Sequence, residues 1–122
     1  MLPRYKRLVR TTLRGLAGDL PRVGVYVISY LGKVLYVEQS VDVEVRLAQH
    51  LRAGEWDDFG GWMSKVRDDW HNVRLDVLEP PDEGNQRKWL AEVEGALVRE
   101  FSPLFGQERK RSNGKADHAY IV

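Results

Sequence analysis

At 122 residues, with 43% hydrophobic and 30% charged positions, the chain has the composition of one soluble domain with a modest core, which excludes a disordered or fibrous protein. No apolar run approaches the ~20 residues a membrane helix needs, and no signal-peptide stretch follows the basic start, so no membrane partner and a cytoplasmic home are expected. Cysteine is absent, which excludes disulfides and thiolate metal sites.

The net charge of +1 hides an uneven layout. Arg4, Lys6, Arg7, Arg10 and Arg14 crowd the start, and Arg109, Lys110, Arg111 and Lys115 crowd the end. The middle is acidic, with Asp57, Asp58, Asp68, Asp69, Asp76, Glu79, Asp82 and Glu83. Basic ends suit phosphate binding by counterion release, although charge alone is equally met by solvated flanks.

In chain order, Tyr5, Leu8, Val9, Leu13, Leu16 and Leu20 recur at helical spacing and predict an amphipathic helix over 4–17. Val23 to Ser29 is rich in β-branched residues and reads as a strand. A tight turn at Leu31-Gly32-Lys33 and a returning strand, Val34 to Val37, complete a hairpin. Ser40 or Asp42 caps a helix running to about Ala53, with Val43, Leu47 and Leu51 on its apolar stripe and Gly54 as its stop. A short helix is expected around Trp62 to Asp69, and a third strand over Val73 to Leu78.

Pro80-Pro81-Asp82-Glu83-Gly84 breaks the chain before a long helix over 85–101. Trp89, Leu90, Val93, Ala96, Leu97 and Phe101 mark the buried face of that helix. Gly95 inside it costs ~1 kcal/mol against alanine and suggests a close approach of another group. Residues 106–118 read as a loose basic segment, with a short strand or a frayed end over 119–122. The expected fold is α+β, a small three-stranded antiparallel sheet flanked by helices. It forms a single domain over 1–122, with its core at about 20–106 between the basic N-terminal helix and the basic tail.

Several short strings carry chemistry. Gly24-Val25-Tyr26 is followed ten residues on by Tyr36-Val37-Glu38, with Leu20-Pro21 ahead of the first. Arg46 stands ten residues after Tyr36, His50 four further on, and Glu94 nine before Pro103. Taken singly, each has a plain structural reading. Strand tyrosines are usually packing residues. His50 falls near the apolar stripe of its helix, and Arg46 and Glu94 fall at helix borders where ion pairs are common.

Jointly, the strings resemble the GIY-YIG nuclease superfamily over about residues 20 to 106. That resemblance implies a metal-dependent endonuclease that hydrolyses phosphodiester bonds in DNA, with RNA as the other candidate substrate. It makes Tyr26 the general base, Arg46 the clamp on the scissile phosphate and Tyr36 a hydrogen-bond donor beside it. His50 would hold Tyr26 or the attacking water, and Glu94 would hold one Mg²⁺ or Mn²⁺ ion. Gln39 sits where the family commonly has lysine, and with Arg46, Arg109, Lys110 and Arg111 it completes the expected nucleic-acid contacts. Glu38 departs from the motif, because the family has glycine there, and Gly106 stands where the family usually has asparagine. These departures define the alternative, a catalytically impaired module of the same fold that binds nucleic acid or protein. A chain this short has no separate recognition domain, so specificity would come from insertions such as 54–72, from a homodimer or from a protein partner. A third reading is an interaction domain in which Trp56, Trp62 and Trp70 form a sticky patch.

Overall fold

The structure is a computed structural model that describes residues 2–15, 19–52 and 58–105. Four antiparallel strands form one sheet: β1 (Arg7–Thr12), β2 (Gly24–Tyr30), β3 (Lys33–Ser40) and β4 (Val73–Glu79). Their order across the sheet is β1-β4-β2-β3. The helices are α1 (Val43–Arg52), α2 (Asp58–Lys65) and α3 (Gln86–Phe101). The fold is therefore α+β with four strands rather than the expected three.

The extra strand replaces the helix expected over 4–17. Residues 7–12 pair along their length with β4, from Arg7 opposite Glu79 to Thr12 opposite Arg74. A short 3₁₀ turn over Leu13–Gly15 follows. The sequence Arg-Leu-Val-Arg-Thr-Thr contains three β-branched residues, and β4 offers it an open edge of backbone donors and acceptors. Pairing with that edge overrides a helical spacing that arises partly from Leu16 and Leu20, which lie beyond the strand.

The hairpin is present as expected, but it carries a register shift. Leu31 and Gly32 form the turn with φ of 52° and 82°, the positive pair that a type I′ hairpin turn requires. Tyr30 faces Lys33 and Ser29 faces Val34, but Ile28 faces Tyr36, so Leu35 is an extra residue in β3. Beyond this bulge Tyr26 lies opposite Glu38.

Each face of the sheet carries its own core. On one side Tyr26, Ile28, Tyr36, Leu75 and Val77 pack with Val43 and Leu47 of α1 and Met63 of α2. On the other, Val25, Val27, Val37 and Leu78 pack with Trp89, Leu90, Val93 and Leu97 of α3. Asp42 caps α1, its Oδ1 accepting from the Val45 N–H at 3.3 Å. The Ser40 hydroxyl accepts from the Asp42 N–H at 2.9 Å and shapes the approach. Asn85 caps α3 by accepting from the Lys88 N–H at 3.0 Å. Ser102, in the left-handed region at φ 46°, ends α3 before Pro103.

Several finer expectations are corrected. The helix expected around 62–69 divides into α2 and a 3₁₀ stretch over Arg67–Asn72. Phe101 is 44% exposed rather than buried, and Ala96 is only partly buried. Gly95 marks no close approach: a Cβ there would meet only the tip of Arg99, at 3.5 Å. Trp62 and Trp70 do not form an exposed patch; both pack against the α1–α2 core, and the Trp70 indole donates to the Met63 carbonyl at 3.0 Å. Trp56, Gly106, the basic segment 106–118 and the expected strand at 119–122 lie outside the described residues.

Gly24, by contrast, is required by packing. A Cβ added there would lie 2.6 Å from the Leu78 carbonyl oxygen and 2.9 Å from Val77 Cγ1. Because the nearer atom is backbone, relief would require β2 and β4 to move apart. Gly24→Ala is expected to destabilise the fold by about 2–3 kcal/mol in urea unfolding. An unchanged midpoint would show that the strands separate freely at this point.

Candidate functional site

Four side chains meet at one end of the β2–β3 hairpin. Tyr26 and Glu38 are directly opposed across the two strands, so their side chains share a face of the sheet. Arg46 and His50 lie one turn apart on α1, which packs on that same face. All of them converge on Glu38. The Tyr26 hydroxyl donates to Glu38 Oε1 at 2.5 Å. Arg46 donates Nε to Oε1 at 3.0 Å and Nη2 to Oε2 at 3.2 Å, a two-point fork on the carboxylate. His50 Nε2 lies 3.3 Å from Oε1, a contact that places the imidazole proton on Nε2. Arg46 Nη1 also donates to Gln49 Oε1 at 3.1 Å.

Tyr36 completes this side of the site. It is buried, its ring lies 6.3 Å from that of Tyr26, and it meets His50 edge-on at 4.9 Å. His50 is 4% exposed and Tyr26 is fully buried. The position of His50 is thereby fixed by packing as well as by its contact with Glu38, and that of Arg46 by its hydrogen bonds.

Glu94 is placed differently. Helix α3 covers the opposite face of the sheet, so Glu94 and Tyr26 lie on opposite sides of it. Its Oε1 accepts from Gln39 Nε2 at 2.7 Å. Gln39 is the neighbour of Glu38 in the edge strand β3, and successive strand side chains point to opposite faces. Glu38 and Glu94 therefore approach the same end of β3 from its two sides. Arg109, Lys110 and Arg111 lie outside the described residues.

Three direct contacts and one charge set the protonation states. Burial pushes the Glu38 carboxyl upward, but hydrogen bonds from His50, Arg46 and Tyr26 and the charge of Arg46 outweigh it. The net result holds Glu38 far below the usual carboxylate range, as an anion at neutral pH. Burial opposes the charge on Arg46, but the hydrogen bonds and charge of Glu38 win and raise its pKa further. Tyr26 moves well above 10, chiefly through burial and then through the charge of Glu38, with Arg46 pulling weakly the other way. With Glu38 in place, Tyr26 is thus a neutral hydrogen-bond donor. The charge of Arg46 favours the phenolate but is outweighed by burial and by Glu38.

The Glu38 shift has a consequence for stability. Below the ordinary carboxyl value of 4.5 the unfolded Glu38 binds a proton that the folded one refuses. The unfolded state then carries more protons, so stability rises with pH across this window. The contribution of Glu38 is complete above about pH 4.5 and is lost as pH falls toward its folded value. Urea unfolding should show stability declining below pH 4.5, and Glu38→Gln should flatten that decline relative to the parent. An equal acid slope in both proteins would show that other carboxyl groups carry it.

Neither a family model, nor a curated protein, nor a solved structure matches this chain. The site's chemistry therefore rests on its own geometry and on the motif spacing. Among the described residues no group of three or more His, Asp or Glu side chains is placed to hold a metal ion together. Glu94 offers hard carboxylate oxygen, the donor type that Mg²⁺ takes, and Mg²⁺ keeps several waters when it binds one carboxylate. No described helix is long and apolar enough to cross a membrane.

Glu38, singled out in the sequence as the departure from the motif, is the group on which Tyr26, Arg46 and His50 converge.

Proposed function

We propose that this chain is a GIY-YIG-like domain acting as a divalent-metal-dependent endonuclease on DNA, with its active site closed at rest by Glu38. The observation that carries this reading is the convergence of three different donors on a single oxyanion oxygen, Glu38 Oε1. A phosphate oxygen asks for the same environment: a planar guanidinium fork, a phenol and an imidazole N–H, positioned in advance by packing.

In the working state Arg46 clamps the scissile phosphate in place of the Glu38 carboxylate. Removing that carboxylate removes the second-largest cause that holds the proton on Tyr26, while Arg46 stays beside the phenol; burial, the largest cause, still opposes the loss of that proton. Tyr26 acts there as the phenolate: its own proton passes to solvent as Glu38 leaves, and the phenolate oxygen then takes the proton of the attacking water, with Tyr36 packed beside its ring. Glu94, which reaches the end of the edge strand β3 from the α3 side, would hold a Mg²⁺ ion there, across the strand from Arg46, and the ion would supply positive charge toward a phosphate bound at that strand end.

The competing reading is a binding module of the same fold that does not cleave. It is favoured by the same carboxylate, which neutralises Arg46 and keeps Tyr26 protonated. Nicking of supercoiled plasmid with Mg²⁺ or Mn²⁺, by the parent and by Glu38→Gly, separates the two. The nuclease reading expects metal-dependent nicking that Glu94→Ala abolishes. Binding of DNA with no cut by either form, under either metal, assigns the chain to the binding module.

A further inference from the structure

The contacts of Glu38 define a site that is already filled by an anion of this chain. Both carboxylate oxygens are engaged by Arg46, and Oε1 additionally by Tyr26 and His50. The donors are held from outside the contact: Tyr26 by the sheet, His50 by burial against Tyr36, and Arg46 by its bond to Gln49. Removing the carboxylate would therefore leave a formed set of donors. Glu38 itself is on the edge strand, and its side chain retains 13% exposure.

The charge balance favours exchange over simple opening. Moving Glu38 into water with nothing in its place would leave Arg46, 31% exposed, without its carboxylate partner. A phosphodiester carries one negative charge, as the carboxylate does, and has two non-bridging oxygens for the same fork. If it enters as Glu38 leaves, Arg46 stays paired and the displaced carboxylate regains its hydration. Neutral pH does not supply an alternative trigger, because the donors and charge around the Glu38 carboxyl keep it ionised there.

The geometry points to Glu38 as an internal phosphate mimic: it competes with the phosphate groups of nucleic acid for Arg46, Tyr26 and His50, and bound phosphate displaces it. This rests on the reading of the site as one for nucleic-acid phosphate. It makes Glu38 a built-in threshold on binding, which only an anion competing successfully for Arg46 overcomes.

Two probes test it on the full chain. Inorganic phosphate at low ionic strength is titrated by isothermal calorimetry, and a labelled DNA duplex is titrated by fluorescence anisotropy. Glu38→Gln keeps the size of the side chain and removes its charge; Glu38→Gly removes the side chain altogether and serves if the first variant misfolds. Either should bind inorganic phosphate about tenfold more tightly than the parent, the order expected for losing one close competing charge. The gain should vanish in the double variant Glu38→Gln/Arg46→Ala, and it should be largest at low salt. Phosphate affinity equal to or below that of the parent, in a variant with native circular dichroism, overturns the proposal. So does a gain that persists without Arg46. If the Arg46-dependent gain for inorganic phosphate appears but no form binds DNA or RNA, the mimic stands and the nucleic-acid reading falls. If DNA binds and Glu38→Gln changes neither affinity, the reading stands and the mimic falls.

Discussion

Arg46→Ala should be among the more damaging single substitutions in this protein, for folding as well as for function. It removes the guanidinium that holds both oxygens of Glu38 and leaves that carboxylate, 13% exposed, without its cation. Breaking a fully buried pair from one side costs about 3–5 kcal/mol; with Arg46 31% exposed, solvent screening brings the expectation to about 2–3 kcal/mol. The second substitution, Glu38→Gln, should recover most of that loss, because it removes the stranded charge. Urea unfolding of the parent, both single variants and the double variant forms a cycle that isolates the pair. Additive losses would mean that Arg46 and Glu38 do not depend on one another, and the geometry of the site would then have no energetic content. The same variant should lose DNA affinity, because the phosphate fork is gone.

Tyr26→Phe is expected to have the largest effect on cleavage. The ring stays in the core, so packing with Tyr36 is retained and only the hydroxyl is lost. In the resting state that hydroxyl donates to an ionised carboxylate, and its loss should cost about 1.5–3 kcal/mol of stability. In the working state it handles the proton of the attacking water, and its loss should lower the nicking rate by about 10²–10⁴-fold. The informative combination is a folded variant that still binds DNA, with an affinity lowered by no more than the loss of one hydrogen bond, and that has lost nicking. If Tyr26→Phe nicks plasmid as fast as the parent, Tyr26 is a packing residue and the catalytic assignment fails. Carrying the comparison out in the Glu38→Gly background removes any masking by the resident carboxylate.

Much of the scaffold was legible because its signals are local. The long helix was readable from the spacing of Trp89, Leu90, Val93 and Leu97, and all four are buried in α3. The hairpin was readable from Gly32 and the β-branched runs on either side of it. Asp42 was one of two named caps, and it is the one that bonds to the α1 backbone. Signals that depend on a distant partner were not legible. The segment 7–12 falls within a helical spacing that runs on to Leu20, and becomes a strand because β4 presents an edge. Trp62 and Trp70 look exposed until α2 and the 3₁₀ stretch fold them back on the core.

The sequence by itself determined which residue types are present at motif spacing: two tyrosines, an arginine, a histidine, a glutamate, and a second glutamate after the second tyrosine. Side-chain chemistry and helical periodicity are sufficient to place Arg46 and His50 one turn apart. The tertiary structure decided what those groups face. With a two-residue turn and an unbroken ladder, Tyr26 would oppose Val37, and Glu38 would point to the α3 side. The extra residue, Leu35, shifts the register by one and turns Tyr36 and Glu38 to the face of Tyr26. Because the strand period is two, that single residue determines whether the carboxylate meets Arg46 or lies on the opposite face. The packing of α3 on the other side of the sheet likewise sets Glu94 against Gln39. Register and helix placement are fixed by contacts between segments far apart in the chain, which no local pattern of residues encodes.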